Sequence, residues 1–241
     1  MKRNPVIIKK YGDKYKVTIC HIDVWQETER YTENLEKGKE KESNEIGKAR
    51  RNISRAKGMV LEYAKCNDWD WFFTGTLDKR KQNRYDLQAY IRDLGQFIRD
   101  ERKRTGSEIR YMLIPEQHKD GAWHMHGYFY GIPETDIQIN SHGYYDWTRY
   151  SKRFGYCSLD RIKDKERCDN YITKYISKEM GGLAIEKNKK LYYSSRGLHT
   201  AEIIHQAYTS EKISTPDFEN DFVSIKWLDT LGEVQALLRL L

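Results

Sequence analysis

The sequence predicts an α+β protein, an antiparallel sheet with helices packed on one face. Three observations predict it. Short runs rich in β-branched and aromatic residues recur between residues 71 and 159. A stretch of helical periodicity separates the first run from the second, and the next two runs are joined by a short polar link that reads as a hairpin. The resulting order is βαββ, then a strand and a helix, which suits an antiparallel sheet covered by helices.

Each element has its own signal. Residues 6–25 alternate in the strand manner around Tyr11-Gly12-Asp13-Lys14, a Gly-Asp turn between β-rich runs that predicts a hairpin. Residues 26–44 are almost all charged or polar and read as a connector or the start of a solvated helix. Ile53, Ala56, Val60, Leu61 and Ala64 recur at helical spacing, so residues 47–65 are expected to be an amphipathic helix with Arg50, Arg51, Arg55 and Lys57 on its solvated face. The run Trp71-Phe72-Phe73-Thr74-Gly75-Thr76-Leu77, bounded by charge, reads as a buried central strand. Leu87, Tyr90, Ile91, Leu94, Phe97 and Ile98 form one apolar stripe on a helix over residues 85–104. Strands follow at 111–115 and 123–130, then a loop rich in Gly, Tyr and Trp at 131–154, a short strand at 156–159 and a helix at 165–180.

Composition narrows the class. Of the 241 residues 38% are hydrophobic and 33% charged, a soluble globular profile, and 43 Lys and Arg against 36 Asp and Glu leave a net charge of +7 that favours a polyanionic partner. Cys20, Cys66, Cys157 and Cys168 are scattered without CxxC spacing, which disfavours a thiolate zinc site and a disulfide framework. Neither a long apolar run nor a signal peptide is visible, so no membrane is expected and the cytoplasm is the expected compartment. No GxxxxGK[ST] phosphate loop is present, so no helicase or ATPase activity is expected from this chain.

The sharpest chemical signal is His124-Met125-His126 inside a strand. Side chains two apart on a strand share a face, so the two imidazoles lie side by side while Trp123, Met125 and Phe129 turn to the apolar layer. The histidine face is then expected to be the open face of the sheet. An isolated pair of this kind reads equally well as two half-exposed polar residues. Glu116 shifts the balance, because pairing of 111–115 with 123–130 brings it alongside the histidines, and two imidazoles plus a carboxylate can bind a divalent ion. His118 is a rival ligand expected in the turn.

A second signal is Tyr171-Ile172-Thr173-Lys174-Tyr175-Ile176-Ser177-Lys178. On a helix Tyr171 and Tyr175 share a face and Lys178 lies one turn further on. A phenol is a poor nucleophile at neutral pH, but a nearby ammonium group or metal ion favours the phenolate and makes attack on phosphorus feasible. Taken alone, these tyrosines and isoleucines would simply be the apolar stripe of an amphipathic helix.

Together the two signals resemble the HUH endonuclease superfamily, and within it the rolling-circle replication initiators of bacterial plasmids and phages. Three motifs occur in order over residues 71–179: a strand with Thr74 and Thr76, the His124/His126 pair preceded by Glu116, and a helix carrying Tyr171, Lys174, Tyr175 and Lys178. Gly75 departs from the first motif, where the family more often has a bulky apolar residue. The resemblance implies a five-stranded antiparallel sheet of ferredoxin or RRM type with helices on one face. It also implies an endonuclease domain at 66–200, with an N-terminal hairpin and helix at 1–65 and a C-terminal extension at 201–241.

By the same resemblance Mn²⁺ or Mg²⁺ would be held by Glu116, His124 and His126. Tyr175 would attack first and Tyr171 in alternation, with Lys178 and Lys174 assisting. The implied partners are single-stranded DNA at a replication origin and a host helicase and DNA polymerase. Thr74, Thr76, Lys79, Arg80, Lys81, Arg149 and Arg153 are candidate DNA contacts, with Tyr144, Tyr145 and Trp147 as stacking platforms; solvated loops are the alternative reading of the basic segments. Competing functions are a single-strand transposase of the same superfamily, a two-histidine-one-carboxylate Fe(II) oxygenase, and a non-catalytic nucleic-acid-binding module.

Overall fold

The computed structural model describes residues 3–21, 40–163, 172 and 190–241, the helical stretch 40–51 by its backbone alone. Two compact units emerge, one of residues 1–48 and 199–241 and the other of residues 49–198. The chain opens with β1 (Asn4–Tyr11), β2 (Lys14–Cys20) and helix α1 (Glu40–Cys66). The second unit continues with β3 (Trp71–Thr76), α2 (Leu87–Thr105), β4 (Arg110–Gln117) and β5 (Trp123–Tyr130). Next come β6 (Ile137–Ile139), β7 (Tyr145–Trp147), α3 (Thr148–Arg153), β8 (Cys157–Arg161) and β9 (Tyr193–Ser194). The chain returns to the first unit with β10 (Glu202–Thr209), β11 (Phe218–Glu219), β12 (Val223–Leu228) and α4 (Leu231–Leu238).

In the first unit the expected hairpin is present. Tyr11 pairs with Lys14, and Gly12 at φ 62° supplies the left-handed residue that a two-residue turn demands. β1 also pairs with β10 and β2 with β12, giving the antiparallel order β10-β1-β2-β12-β11. Val6, Ile8, Val17 and Ile19 alternate inward and meet Ile213, Leu228 and Val234 in a small core. The sequence reading kept the N-terminal hairpin and the C-terminal extension as separate appendages. Here they are one sheet, closed by contacts such as His21 Nδ1 to the Asp221 carbonyl at 3.1 Å.

The second unit is built on a seven-stranded antiparallel sheet of order β6-β7-β8-β3-β5-β4-β9. It is thus wider than the expected five strands, by short pieces: β6 and β7 have three residues each and β9 two. The stretch 131–154, read from sequence as a loop, contains the β6–β7 hairpin and α3. Asn140 Oδ1 closes that hairpin by accepting from the His142 and Tyr144 N–H groups.

α2 follows the predicted stripe, with Leu87, Tyr90, Leu94, Phe97 and Ile98 buried. Asp86 caps its start by accepting from Ala89 N–H, and Gly106 at φ 69° ends it. Phe97 meets Trp147 and Phe154, and Phe73 meets Phe129 and Tyr150, in an aromatic layer under β3 and β5.

This layer explains Gly75. A Cβ there would lie 2.5 Å from both Phe73 Cζ and Tyr150 Oη, so a bulky apolar residue has no room at this position. Gly127, next to His126, is under a harder constraint, because a Cβ would overlap the Met112 backbone carbonyl of the neighbouring strand. Gly127→Ala is therefore expected to destabilise the fold by about 3 kcal/mol or more, seen as a lowered urea midpoint; an unchanged midpoint would contradict this packing.

The histidine-bearing face is not open throughout. Phe72, Met112, Ile114 and Tyr128 share it and are all buried. Trp69, which donates to the Tyr63 carbonyl of α1, stacks on Tyr128 with ring centroids 5.5 Å apart. Apolar surface of β-branched and aromatic residues on both faces of a strand draws cover to both.

Candidate active site

The β4–β5 hairpin sets Glu116 opposite His124, and β3 sets Thr76 opposite His124 and Thr74 opposite His126. Three adjacent strands thereby place five polar side chains on one face. Thr74 Oγ1 lies 3.1 Å from His126 Nδ1, and Thr76 Oγ1 lies 3.3 Å from His124 Nδ1. The two rings are nearly parallel, 16° apart with centroids separated by 6.4 Å. His126 is buried, and its Nε2 lies 2.5 Å from Glu116 Oε2. His118 sits in the turn, as expected, with its ring stacked on His124 at 5.3 Å and its Nδ1 3.3 Å from Asp120.

Burial, and after it the neighbouring charge of His118, holds the His124 imidazole below its ordinary pKa, against the opposing pull of Glu116 and Asp120. The ring is therefore neutral at neutral pH, the form in which imidazole ligates a metal. In the Nδ1-protonated tautomer the His124 ring donates to Thr76 and keeps its Nε2 lone pair for a ligand, whereas the His126 Nε2 is engaged by Glu116. Two imidazoles and a carboxylate, with rings oriented by outer hydrogen bonds, fit a divalent ion by donor chemistry. Among the described residues no group of three or more His, Cys, Asp or Glu is already gathered around one point for an ion. Glu116 and His126 touch, and His124 stands beside them.

The hydroxyls of Thr74 and Thr76, candidate DNA contacts by sequence, lie against the histidine rings. This contact was legible only from the strand register, because β3 and β5 lie far apart in sequence. Thr74→Val and Thr76→Val are expected to leave folding intact and to weaken divalent-ion affinity by about 10- to 100-fold, measured by Mn²⁺ titration; unchanged affinity would remove the threonines from the site.

The basic candidates divide by what they touch. Lys79 is exposed in the loop after β3. Arg80 pairs with Asp78 at 2.8 Å, and Lys81 donates to the Ser151 carbonyl at 2.7 Å. Arg149 pairs with the buried carboxylate of Glu101 at 2.7 Å, which also holds Arg104, so its guanidinium anchors α3 to α2. Arg153 lies over the Phe154 ring at 5.6 Å. Tyr144 and Tyr145 are exposed, but Trp147 is fully buried in the aromatic layer and cannot serve as a stacking platform. The sequence reading missed Arg84, which pairs with Asp120 and joins the loops on either side of the histidine end of the sheet.

Tyr171, Lys174, Tyr175 and Lys178 lie outside the described residues. Ile172 is described; it is helical and fully buried in the core of the second unit. Among the described residues no helix is long and apolar enough to cross a membrane.

No curated protein and no solved structure matches the chain significantly. Residues 70–180 match the model of a family described as Replication-associated protein ORF2. That stretch is somewhat under half of the chain and contains Thr74, Thr76, Glu116, both histidines and the whole tyrosine-lysine segment. Over residues 70–180, then, the chain is similar to a family of rolling-circle replication initiators.

Proposed function

We propose that the protein nicks single-stranded DNA at a replication origin by tyrosine attack and thereby starts rolling-circle replication. The observation that carries this reading is the Glu116, His124 and His126 cluster, held by Thr74 and Thr76 inside the stretch that matches the replication family. Mn²⁺ or Mg²⁺, held by those three residues, would supply charge neutralisation at the scissile phosphate. The phenolic oxygen of Tyr175 attacks phosphorus in line as its proton departs. The bond from phosphorus to the 3′ oxygen breaks, and that oxygen takes up a proton. The products are a 5′-phosphotyrosine and a free 3′ hydroxyl that a host DNA polymerase extends. Lys178 and Lys174 balance negative charge on the phosphate; Tyr171 then attacks the regenerated junction, and the 3′ hydroxyl so freed attacks the phosphorus held on Tyr175, closing the displaced strand and expelling the Tyr175 phenol.

Incubation with a pool of single-stranded DNA and Mn²⁺, followed by denaturing electrophoresis, tests the reaction class. A protein band shifted by covalently attached DNA is expected. Binding without any adduct would instead identify a nucleic-acid-binding module. With no phosphate loop in its sequence, the purified protein is expected to nick but not to unwind duplex DNA, the host helicase supplying that step. ATP-driven strand displacement by the protein alone would contradict this.

A further inference from the structure

Two hollows flank the edge strand β9 in the second unit. One, of about 450 Å³, is walled by Arg99, Arg102 and Arg196 together with Tyr111 and Ser195. The other, of about 630 Å³, carries Arg55 and Lys190 beside Tyr192 and Tyr193. Both include Tyr111 and Ser194, so they join as one groove over the sheet edge, and among the described residues that line them none is Asp or Glu. The five cations among those residues give the groove a positive lining.

The floor of this groove is fixed. Arg102 Nε donates to the Ile109 carbonyl at 2.8 Å, and its terminal nitrogen lies 3.3 Å from Ser195 Oγ. Ser195 is buried, and its Oγ accepts from Tyr111 N–H at 2.9 Å. Arg99 and Arg196 are exposed. Tyr111 lies on β4 five positions before Glu116 and on the opposite face of the sheet. At about 3.3 Å per residue the groove is roughly 17 Å along the strand from the histidine site.

We propose that this groove is a second polyanion site, which holds the sugar-phosphate backbone of single-stranded DNA away from the point of cleavage. The five cations line the two joined hollows together with the rings of Tyr111, Tyr192 and Tyr193. Distributed charge interleaved with aromatic faces is the pattern that tracks a single strand. The proposal rests on the reading that this protein acts on DNA and adds to it a site that the tyrosine chemistry does not require.

The test uses the full chain with EDTA present, so that binding is read apart from cleavage. Fluorescence anisotropy with a labelled single-stranded oligonucleotide of mixed sequence, across a salt series, compares the wild type with Arg99→Gln/Arg196→Gln. Lys212→Gln/Arg239→Gln, exposed in the first unit, serves as the charge-matched control. Loss of two phosphate contacts is expected to weaken binding roughly tenfold or more near 0.1 M salt and to reduce the salt slope by about 1.4. Equal losses in the control would overturn the groove in favour of a general field effect. Calorimetric binding of inorganic phosphate by the wild type, lost in the variant while oligonucleotide affinity is unchanged, would assign the hollow to a free anion and overturn the proposal. A wild type that binds and nicks, with a variant that binds equally well, defeats the groove alone; a wild type that neither binds nor nicks defeats the DNA reading itself.

Discussion

Tyr175→Phe is expected to abolish the covalent protein-DNA adduct and to lower cleavage on the order of 10³-fold or more, the scale seen when a nucleophile is removed. Phe differs from Tyr only by the hydroxyl that we propose as the nucleophile. Tyr171→Phe is expected to behave differently, still nicking and still forming the adduct, but failing to release closed single-stranded circles. On a helix the two positions are about 6 Å apart along the axis at 1.5 Å per residue, so each phenol can reach one phosphate with modest movement. Peptide mass spectrometry of the adduct decides the order. DNA on Tyr171 alone would reverse the assignment, and DNA on neither would remove this segment from the mechanism.

His126→Ala is expected to lower cleavage by several kcal/mol of transition-state stabilisation, on the order of 10³-fold, because His126 is the ring that touches Glu116 and is oriented by Thr74. Affinity for single-stranded DNA at fixed salt should change little, since phosphate contacts elsewhere supply most of it. EDTA should reproduce the loss in the wild type. A circular dichroism spectrum and urea midpoint close to wild type separate this effect from unfolding. If EDTA-treated protein cleaves at an undiminished rate, the metal reading fails whatever the variant shows.

Much of this site could be read from the sequence because its signal is local. His124 and His126 share a face by the two-residue period of a strand, and a short polar link between two strand-like runs brings Glu116 beside them. Both outcomes need only the hairpin to form. The α2 stripe and the Gly12-Asp13 turn are equally local, since each depends on a few consecutive residues. The widening of the sheet was less legible. β6 and β7 are three-residue strands, too short to show a period, so the stretch read as a loop.

What the sequence by itself determined was the class of fold, the strand carrying the histidines, the carboxylate opposite them, and the positive charge suited to a polyanion. Tertiary structure alone decided the partners of residues far apart in the chain. Thr74 and Thr76 became ring-holders through the register of β3 on β5, and Arg149 was drawn to Glu101 because a buried carboxylate requires a cation. Trp147 was taken into the core by its large apolar surface. The two ends of the chain became one sheet when β1 and β2 found β10 and β12. Such pairings are set by which edges and apolar faces remain to be covered once the local elements have formed, and that information belongs to the assembled chain rather than to any window of it.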